Sequence, residues 1–410
     1  MTPAGKLPQQ PWMAAPALRA VMAALAARGG TARYVGGCVR NALLGREVKE
    51  IDIASADAPT AVIELLAAAG IKAIPTGIEH GTITAVAHGV PFEITTLRRD
   101  VETMGRKAVV AFTDDWAADA ARRDFTMNAI YCDADGTLYD PTDGLADARA
   151  GRVRFVGAAE QRIQEDYLRI LRFFRIYAHY GRPPADVAAL RACRQHAKGL
   201  AILSVERIAH ELLRLLAAPD PATVLTLMSE YEVLAQVLPE ATDIDRLRAL
   251  ARVDGADPLP LRRLAAVLGL DVAKAERVAT RLKQSSRARA RLAAAASGAF
   301  GQEPNAATQR NNLYLFGAES FIDQVYLRWA EAGGRPAQAA FAALIEDARS
   351  YVRPVFPLTG DDVLALGVER GPRVGELLGL VERWWVEGGF AASRPECVAR
   401  LRALTKTERS

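Results

Sequence analysis

The stretch that most limits how this chain can fold is Tyr34-Val-Gly-Gly-Cys-Val-Arg-Asn41, followed by Leu43-Leu-Gly45 and Lys49-Glu-Ile-Asp-Ile-Ala-Ser55. An extended apolar run ends in paired glycines, a helical turn carries a cation, and a second extended run follows. Glycine reaches backbone conformations closed to other residues, so the pair Gly36-Gly37 marks a sharp turn between strand and helix. The spacing predicts a strand over Glu50–Ser55, on which alternate side chains share a face. Glu50 and Asp52 would then offer hard oxygen ligands to one divalent cation. Alternating acids often mark only a solvated face. Here the glycines, Arg40 and the acids form one compact unit, as a site for a nucleoside triphosphate requires.

The flanking sequence reads as a small mixed α/β domain over residues 1–150. A helix is expected over 14–28, then a strand at Ala32–Val35. After Pro59 a helix over Thr60–Ala69 stops at Gly70, and a strand follows at Lys72–Pro75. Thr82–Ala87 and Val90–Leu97 read as a hairpin about His88-Gly89. In its second arm Glu93 faces away from Phe92 and Ile94, which makes it a third candidate acid. Residues 98–116 are charged and aperiodic, and are expected to be a mobile loop. A helix over Ala117–Ile130 would carry Arg122 and Arg123, suited to phosphates, with Asp124 and Asn128 four apart on one face for a sugar. Tyr131–Tyr139 reads as a hairpin turning at Asp135-Gly136.

Everything beyond reads as helix. Ala158–Tyr177 has an apolar stripe (Ile163, Tyr167, Ile170, Leu171, Phe174) beside a polar row, Asp166, Arg169, Arg172 and Arg175, repeating every third place. Further helices are expected at Val205–Leu216, Ala222–Met228, Arg246–Val253, Leu261–Leu268, Val272–Lys283, Ala288–Ala296, Glu319–Ala332 and Pro336–Ser350. Lys274, Arg277, Arg281, Lys283 and Arg287 form the most basic stretch, a candidate for a nucleic-acid backbone. Gln309-Arg-Asn-Asn312 and Trp384-Trp385 are secondary candidates.

A chain of 410 residues, half of them hydrophobic, exceeds what one core usually holds, so roughly two to four domains are expected. No apolar run reaches the roughly 18 residues of a membrane span. Pro8, Pro11, Pro16 and Arg19 interrupt the first thirty residues, unlike a signal peptide, and a cytoplasmic location is expected. Cys38, Cys132, Cys193 and Cys397 stand far apart without Cys-x-x-Cys spacing, which argues against a zinc knuckle or a disulfide framework. No His-Asp dipeptide occurs, against an appended phosphohydrolase.

In order along the chain, GGCVRNALLG…EIDIAS, RRDFTMNAI, DPTDGLAD, EDYLRILRFFR, LSVERIAHELLRLL and LTGDDVLALGVERGPRVGELL resemble the class II tRNA nucleotidyltransferase and bacterial poly(A) polymerase family. The resemblance implies a seahorse-like molecule: an α+β head of the polymerase-beta nucleotidyltransferase type, with a small mixed sheet, then an all-α neck, body and tail. The boundaries expected are 1–150, 151–217, 218–352 and 353–410. It implies transfer of a nucleoside monophosphate from CTP or ATP to an RNA 3′-hydroxyl, here the tRNA 3′ end and acceptor arm, with release of pyrophosphate. Glu50 and Asp52 would hold two Mg2+ ions, with Glu93 as the further catalytic acid. Gly36, Gly37 and Arg40 would meet the triphosphate, and Arg122 or Arg123 the incoming nucleotide. Asp166 and Arg169 would read its base, with Arg172 and Arg175 in support. A carboxylate beside a guanidinium matches the amine donor and ring-nitrogen acceptor that cytosine and adenine share, and rejects uracil and guanine. The family's usual Val-Arg-Asp is Val39-Arg40-Asn41 here, its usual DPxGG is Asp140-Pro-Thr-Asp143-Gly144, and Glu50 stands where aspartate is common. Poly(A) synthesis, or addition of only CC or only A, is the alternative implied by the same motifs.

Overall fold

The computed structural model describes residues 1–104, 107–298, 306–333 and 338–407. Among them ten strands form: β1 (Pro3–Lys6), β2 (Ala32–Val35), β3 (Asp52–Ser55), β4 (Lys72–Gly77), β5 (Thr82–Ala87), β6 (Val90–Thr96), β7 (Arg98–Met104), β8 (Lys107–Phe112), β9 (Tyr131–Cys132) and β10 (Thr137–Tyr139). Eight make one mixed sheet in the order β1-β10-β9-β2-β3-β6-β5-β4. Its pairs are antiparallel except β3 with β6, which run parallel with Asp52 opposite Glu93. The β5–β6 hairpin turns at His88 (φ 50°) and Gly89 (φ 79°), both left-handed, which matches the right-handed twist of its arms. Its alternation holds as expected: Phe92 and Ile94 are buried and Glu93 is exposed.

Two compact units divide the chain, Met1–Pro239 and Glu240–Ser410. In the first, the sheet is accompanied by α1 (Pro16–Ala26), α2 (Gly37–Leu43), α3 (Pro59–Ala68), α4 (Trp116–Ala121) and α5 (Gly144–Ala150). Then come α6 (Ala159–Glu165), α7 (Leu168–Tyr180), α8 (Val187–His196) and α9 (Val205–Leu216). Proline at the first helical position opens α1 and α3, where its missing N–H costs nothing. α1 buries Leu18, Val21, Met22 and Leu25 at helical spacing.

Four expected elements differ. The Glu50–Ser55 strand starts only at Asp52, the partner of Val35. Beyond Val35, Gly36 (φ 78°) turns the chain away, and the β3–β6 register would carry Glu50 to Pro91, which has no N–H to give the ladder. The expected loop at 98–116 contains the β7–β8 ribbon; residues 105 and 106 lie outside the described residues. A self-paired ribbon is held by backbone bonds and needs no apolar period to announce it. The helix expected over Ala117–Ile130 ends after Ala121. Tertiary pairing wins there: the Phe125 and Phe155 backbones bridge, and the Val156 N–H donates to the Asp124 carbonyl. The long helix Ala158–Tyr177 is broken at Asp166, whose backbone is extended (φ −153°) and whose carboxylate accepts from the Leu168 N–H, starting α7 anew.

The second unit is helical. One core joins Tyr314, Leu358, Val363, Leu377, Val381, Trp385, Cys397 and Leu401. A second feature is a buried ion network in which Arg263 pairs with Asp254 and Arg262 with Asp323. Lys283 is left-handed (φ 50°), so Val272–Arg281 and Ser286–Ala296 are separate helices and not one basic face. The 306–331 helix is interrupted at Gly317 (φ 75°). The expected start at Pro336 lies outside the described residues, and the helix there runs Gln338–Arg349. All four cysteines are free and buried.

Candidate active site

The β3–β6 register sets two carboxylates side by side, because residues directly opposite on neighbouring parallel strands project to the same face. Asp52 and Glu93 share a cleft of about 500 Å³ with Lys49, Glu50 and Thr84. Asp52 stands exposed at its mouth. Partial desolvation there, the neighbouring Glu93 and then Glu50 push its carboxyl up to about 6, while Arg123 opposes them. The turn above requires glycine: Gly36 is left-handed, and a Cβ on it would meet the Asp52 Oδ2 at 3.6 Å. A Cβ on Gly37 would come equally near the Arg40 Nη2, at 3.6 Å. The two glycines thus lie between an acid and a guanidinium.

Arg40 is 7% exposed, and burial lowers its pKa. Its guanidinium donates to the Asn128 Oδ1, to the Tyr180 hydroxyl at 2.8 Å and to the Asn41 Oδ1 at 3.1 Å. Asn128 and Asp124 do meet, although no helix carries both: the Asn128 Nδ2 donates to the Asp124 Oδ1 at 3.2 Å. Burial alone would raise the Asp124 pKa, but Arg172, 2.6 Å away, holds it below the usual carboxylate range.

Arg122 and Arg123 are both tied to one acid that the sequence reading passed over. Asp119, 1% exposed, pairs with Arg122 at 2.6 Å and Arg123 at 2.9 Å and accepts from the Tyr131 hydroxyl at 2.7 Å. Burial would raise its pKa, yet the two guanidiniums bring it down to about 2. Its signal was there: an acid three and four residues before two arginines is the ordinary spacing of helical ion pairs. Glu211 was also missed. It is 6% exposed and pairs with Arg175 from the apolar side of α9, beside Ile208, Leu212 and Leu215. A charge on a core face announces a buried partner.

The break at Asp166 separates it from the helix carrying Arg169, Arg172 and Arg175, so these four do not form one stripe. The Asp166 Oδ2 accepts from Arg207 at 2.7 Å. Arg169 pairs with Glu165 and donates to the carbonyls of Arg162 and Arg122 at 2.9 and 3.3 Å. In the second unit the Lys274 Nζ donates to the Leu268 carbonyl, Arg281 pairs with Glu240, and Arg287 with Glu319. Arg277 and Lys283 are exposed. Asn312 and Trp385 are buried, which removes both from the surface.

Among the described residues no three His, Cys, Asp or Glu side chains are already gathered as metal ligands. The donors nevertheless suit a hard divalent cation. Asp52, Glu93 and Glu50 are all oxygen donors; burial and then repulsion from Glu93 and Glu50 raise Asp52, and a cation would relieve the repulsion.

A mixed sheet bearing paired acids under a glycine turn, followed by helices, is the fold of a polymerase-beta-type nucleotidyltransferase. Family models described as "Poly A polymerase head domain" and "Probable RNA and SrmB- binding site of polymerase A" match residues 32–154 and 187–244. The chain is 34% identical over 395 residues to CCA tRNA nucleotidyltransferase 1, mitochondrial, of Homo sapiens, across 90% of this chain and 86% of that protein. It is 30% identical over 413 residues to the CCA-adding enzyme of Levilactobacillus brevis, across 96% and 98% of the two chains. The crystal structure of the Bacillus stearothermophilus CCA-adding enzyme in complex with CTP matches with a TM-score of 0.79 at 29% identity, covering 96% of this chain and 99% of that one. The chain belongs to the CCA-adding tRNA nucleotidyltransferase family.

Proposed function

We propose that this enzyme builds and repairs the 3′-terminal CCA of tRNA, adding CMP and AMP from CTP and ATP without a nucleic-acid template and releasing pyrophosphate. The observation that carries the reading is Asp52 opposite Glu93 on adjacent strands, below Gly36 and within reach of the field of Arg123. Asp52, Glu93 and Glu50 would hold Mg2+, which when bound activates the attacking hydroxyl and neutralises the leaving pyrophosphate. Arg40 and the Asp119-held pair Arg122 and Arg123 supply positive charge to the triphosphate. Asp166 and Arg169 read the base. Each carboxylate oxygen accepts more than one bond, and a guanidinium carries five donors, of which the present contacts of Arg169 occupy three. Asp124 and Asn128 serve the sugar. Arg172, through Asp124, and Arg175, through Glu211, act as supports. Arg277, Lys283 and their neighbours Lys274, Arg281 and Arg287 face the tRNA backbone.

We divide the chain into head (1–150), neck (151–217), body (218–352) and tail (353–410), and place it in the cytoplasm. No helix among the described residues is long and apolar enough to cross a membrane. The poly(A) reading is favoured by the description of the head model. One experiment separates the two: incubation with tRNA lacking CCA and each labelled nucleotide, singly and together. CCA addition requires that CTP alone adds two residues and that both nucleotides add three and then stop. A long ladder from ATP alone would establish the rival.

A further inference from the structure

Arg40 is a buried cation. Among the described residues it makes no ion pair, and the carboxylate whose field reaches it, Asp124, is already paired with Arg172. Burying a charge away from water is expensive unless it is paired or fully hydrogen-bonded. What holds this one is neutral. Its guanidinium packs on the Tyr180 ring at 3.9 Å, and its Nη2 donates to the Tyr180 hydroxyl, which in turn donates to the Asn41 Oδ1 at 2.9 Å. The Asn41 amide is orientated by its own Nδ2, which donates to the Glu47 carbonyl at 3.0 Å, so its oxygen faces the guanidinium. Tyr180 is the last residue of α7, and the Arg46 guanidinium lies 4.5 Å from the same ring. An aspartate at position 41 would cancel the charge of Arg40; the asparagine found there leaves it whole.

We propose that Tyr180 and Asn41 are positioning residues that hold the Arg40 guanidinium beneath the Gly36-Gly37 turn, uncompensated, for the triphosphate of the incoming nucleotide. The inference rests on the reading of Arg40 as a triphosphate ligand. Tyr180 fixes the cation by stacking and one hydrogen bond, Asn41 fixes the hydroxyl, and the phosphate oxygens supply the missing negative charge.

The test uses the full chain with tRNA lacking CCA. Tyr180→Phe keeps the ring and removes the hydroxyl. KM for both CTP and ATP should rise about tenfold, the scale of one hydrogen bond to a charged group. kcat should stay within about twofold, and inhibition by inorganic tripolyphosphate should weaken about as much as KM rises. Asn41→Asp sets a carboxylate against the guanidinium and cancels its charge, so it should raise KM for both nucleotides and weaken tripolyphosphate inhibition, and in the double variant Tyr180→Phe/Asn41→Asp KM should rise beyond that of Tyr180→Phe. Arg40→Ala separates the two levels of the inference. If it leaves KM and tripolyphosphate inhibition unchanged, the triphosphate reading of Arg40 fails. If it raises KM and weakens tripolyphosphate inhibition while Tyr180→Phe changes neither, only the roles of Tyr180 and Asn41 fail. A Tyr180→Phe defect that lowers kcat and melting temperature, or an Asn41→Asp variant that leaves KM unchanged or lowers it, also overturns the proposal.

Discussion

Asp52 and Glu93 lie opposite one another on parallel neighbouring strands, so the sheet itself sets their separation. Burial of Asp52, and after it the repulsion from Glu93, has a measurable consequence. A carboxyl whose pKa is raised by folding binds its proton more tightly in the folded state. Its contribution therefore favours folding at low pH and turns against it as pH climbs from the ordinary value through about 6. Asp52→Asn should abolish nucleotide incorporation, by about a thousandfold or more. It should also raise the melting temperature slightly at pH 8, by about 1–3 °C given solvent screening, and not at pH 4. Calorimetry across that range, beside an incorporation assay, checks both halves.

Chelation should arrest incorporation, and Mg2+ should raise the melting temperature of the wild type but not of Asp52→Asn. Metal affinity should fall as pH drops below about 6, because protons compete for the same carboxylate. Titration calorimetry with Mg2+ at pH 5.5 and 8 measures this directly.

Base choice should depend on Asp166 and Arg169. Asp166→Ala or Arg169→Ala should raise UTP incorporation relative to CTP at least about tenfold, since the wrong base no longer leaves these two half-buried polar partners unpaired. Arg207→Ala, which frees the Asp166 carboxylate, should move the ratio in the same direction by less. An unaltered preference for CTP and ATP in a competition assay would refute the assignment.

Glu211→Ala should destabilise the first unit by about 3 kcal/mol, because it leaves the Arg175 guanidinium buried without its partner. Urea denaturation reads the change. Glu211→Gln, which retains a hydrogen-bond acceptor, should cost less.

Arg277→Glu and Lys283→Glu, at exposed positions, should weaken tRNA binding and flatten the salt dependence by about one unit of slope for each phosphate no longer neutralised. Arg281 and Arg287 already face Glu240 and Glu319, so charge reversal there also breaks an ion pair and will alter the second unit as well as the affinity.

Much of this site was legible in the sequence. Gly36 announced the turn, alternation in Val90–Leu97 put Glu93 on the face opposite Phe92 and Ile94, where it is exposed, and the hairpin at His88-Gly89 stands as expected. What escaped depended on pairings far along the chain. The bridge between Phe125 and Phe155 overrides helical periodicity around Arg122–Asn128, and no window around residue 125 contains residue 155. The break at Asp166 looked like helix because its flanks are apolar at helical spacing; a capping carboxylate inside an otherwise periodic run was the missed cue. Asp119 and Glu211 carry their meaning in the arginines they hold, and an arginine considered alone as a phosphate-binding cation does not point back to its acid.

Glu50 lies just outside the sheet, and that placement recasts its extra methylene. An acid anchored in a ladder must match its neighbours to within a fraction of a bond length, whereas one on an unpaired approach segment can shift its backbone to compensate. The cleft then combines two fixed anchors, Asp52 and Glu93, with one on a tether. On the proposed reading of these acids as metal ligands, such a division would suit an enzyme that must discharge pyrophosphate and reload after every residue added, because Glu50 could give up a cation without any strand leaving the sheet.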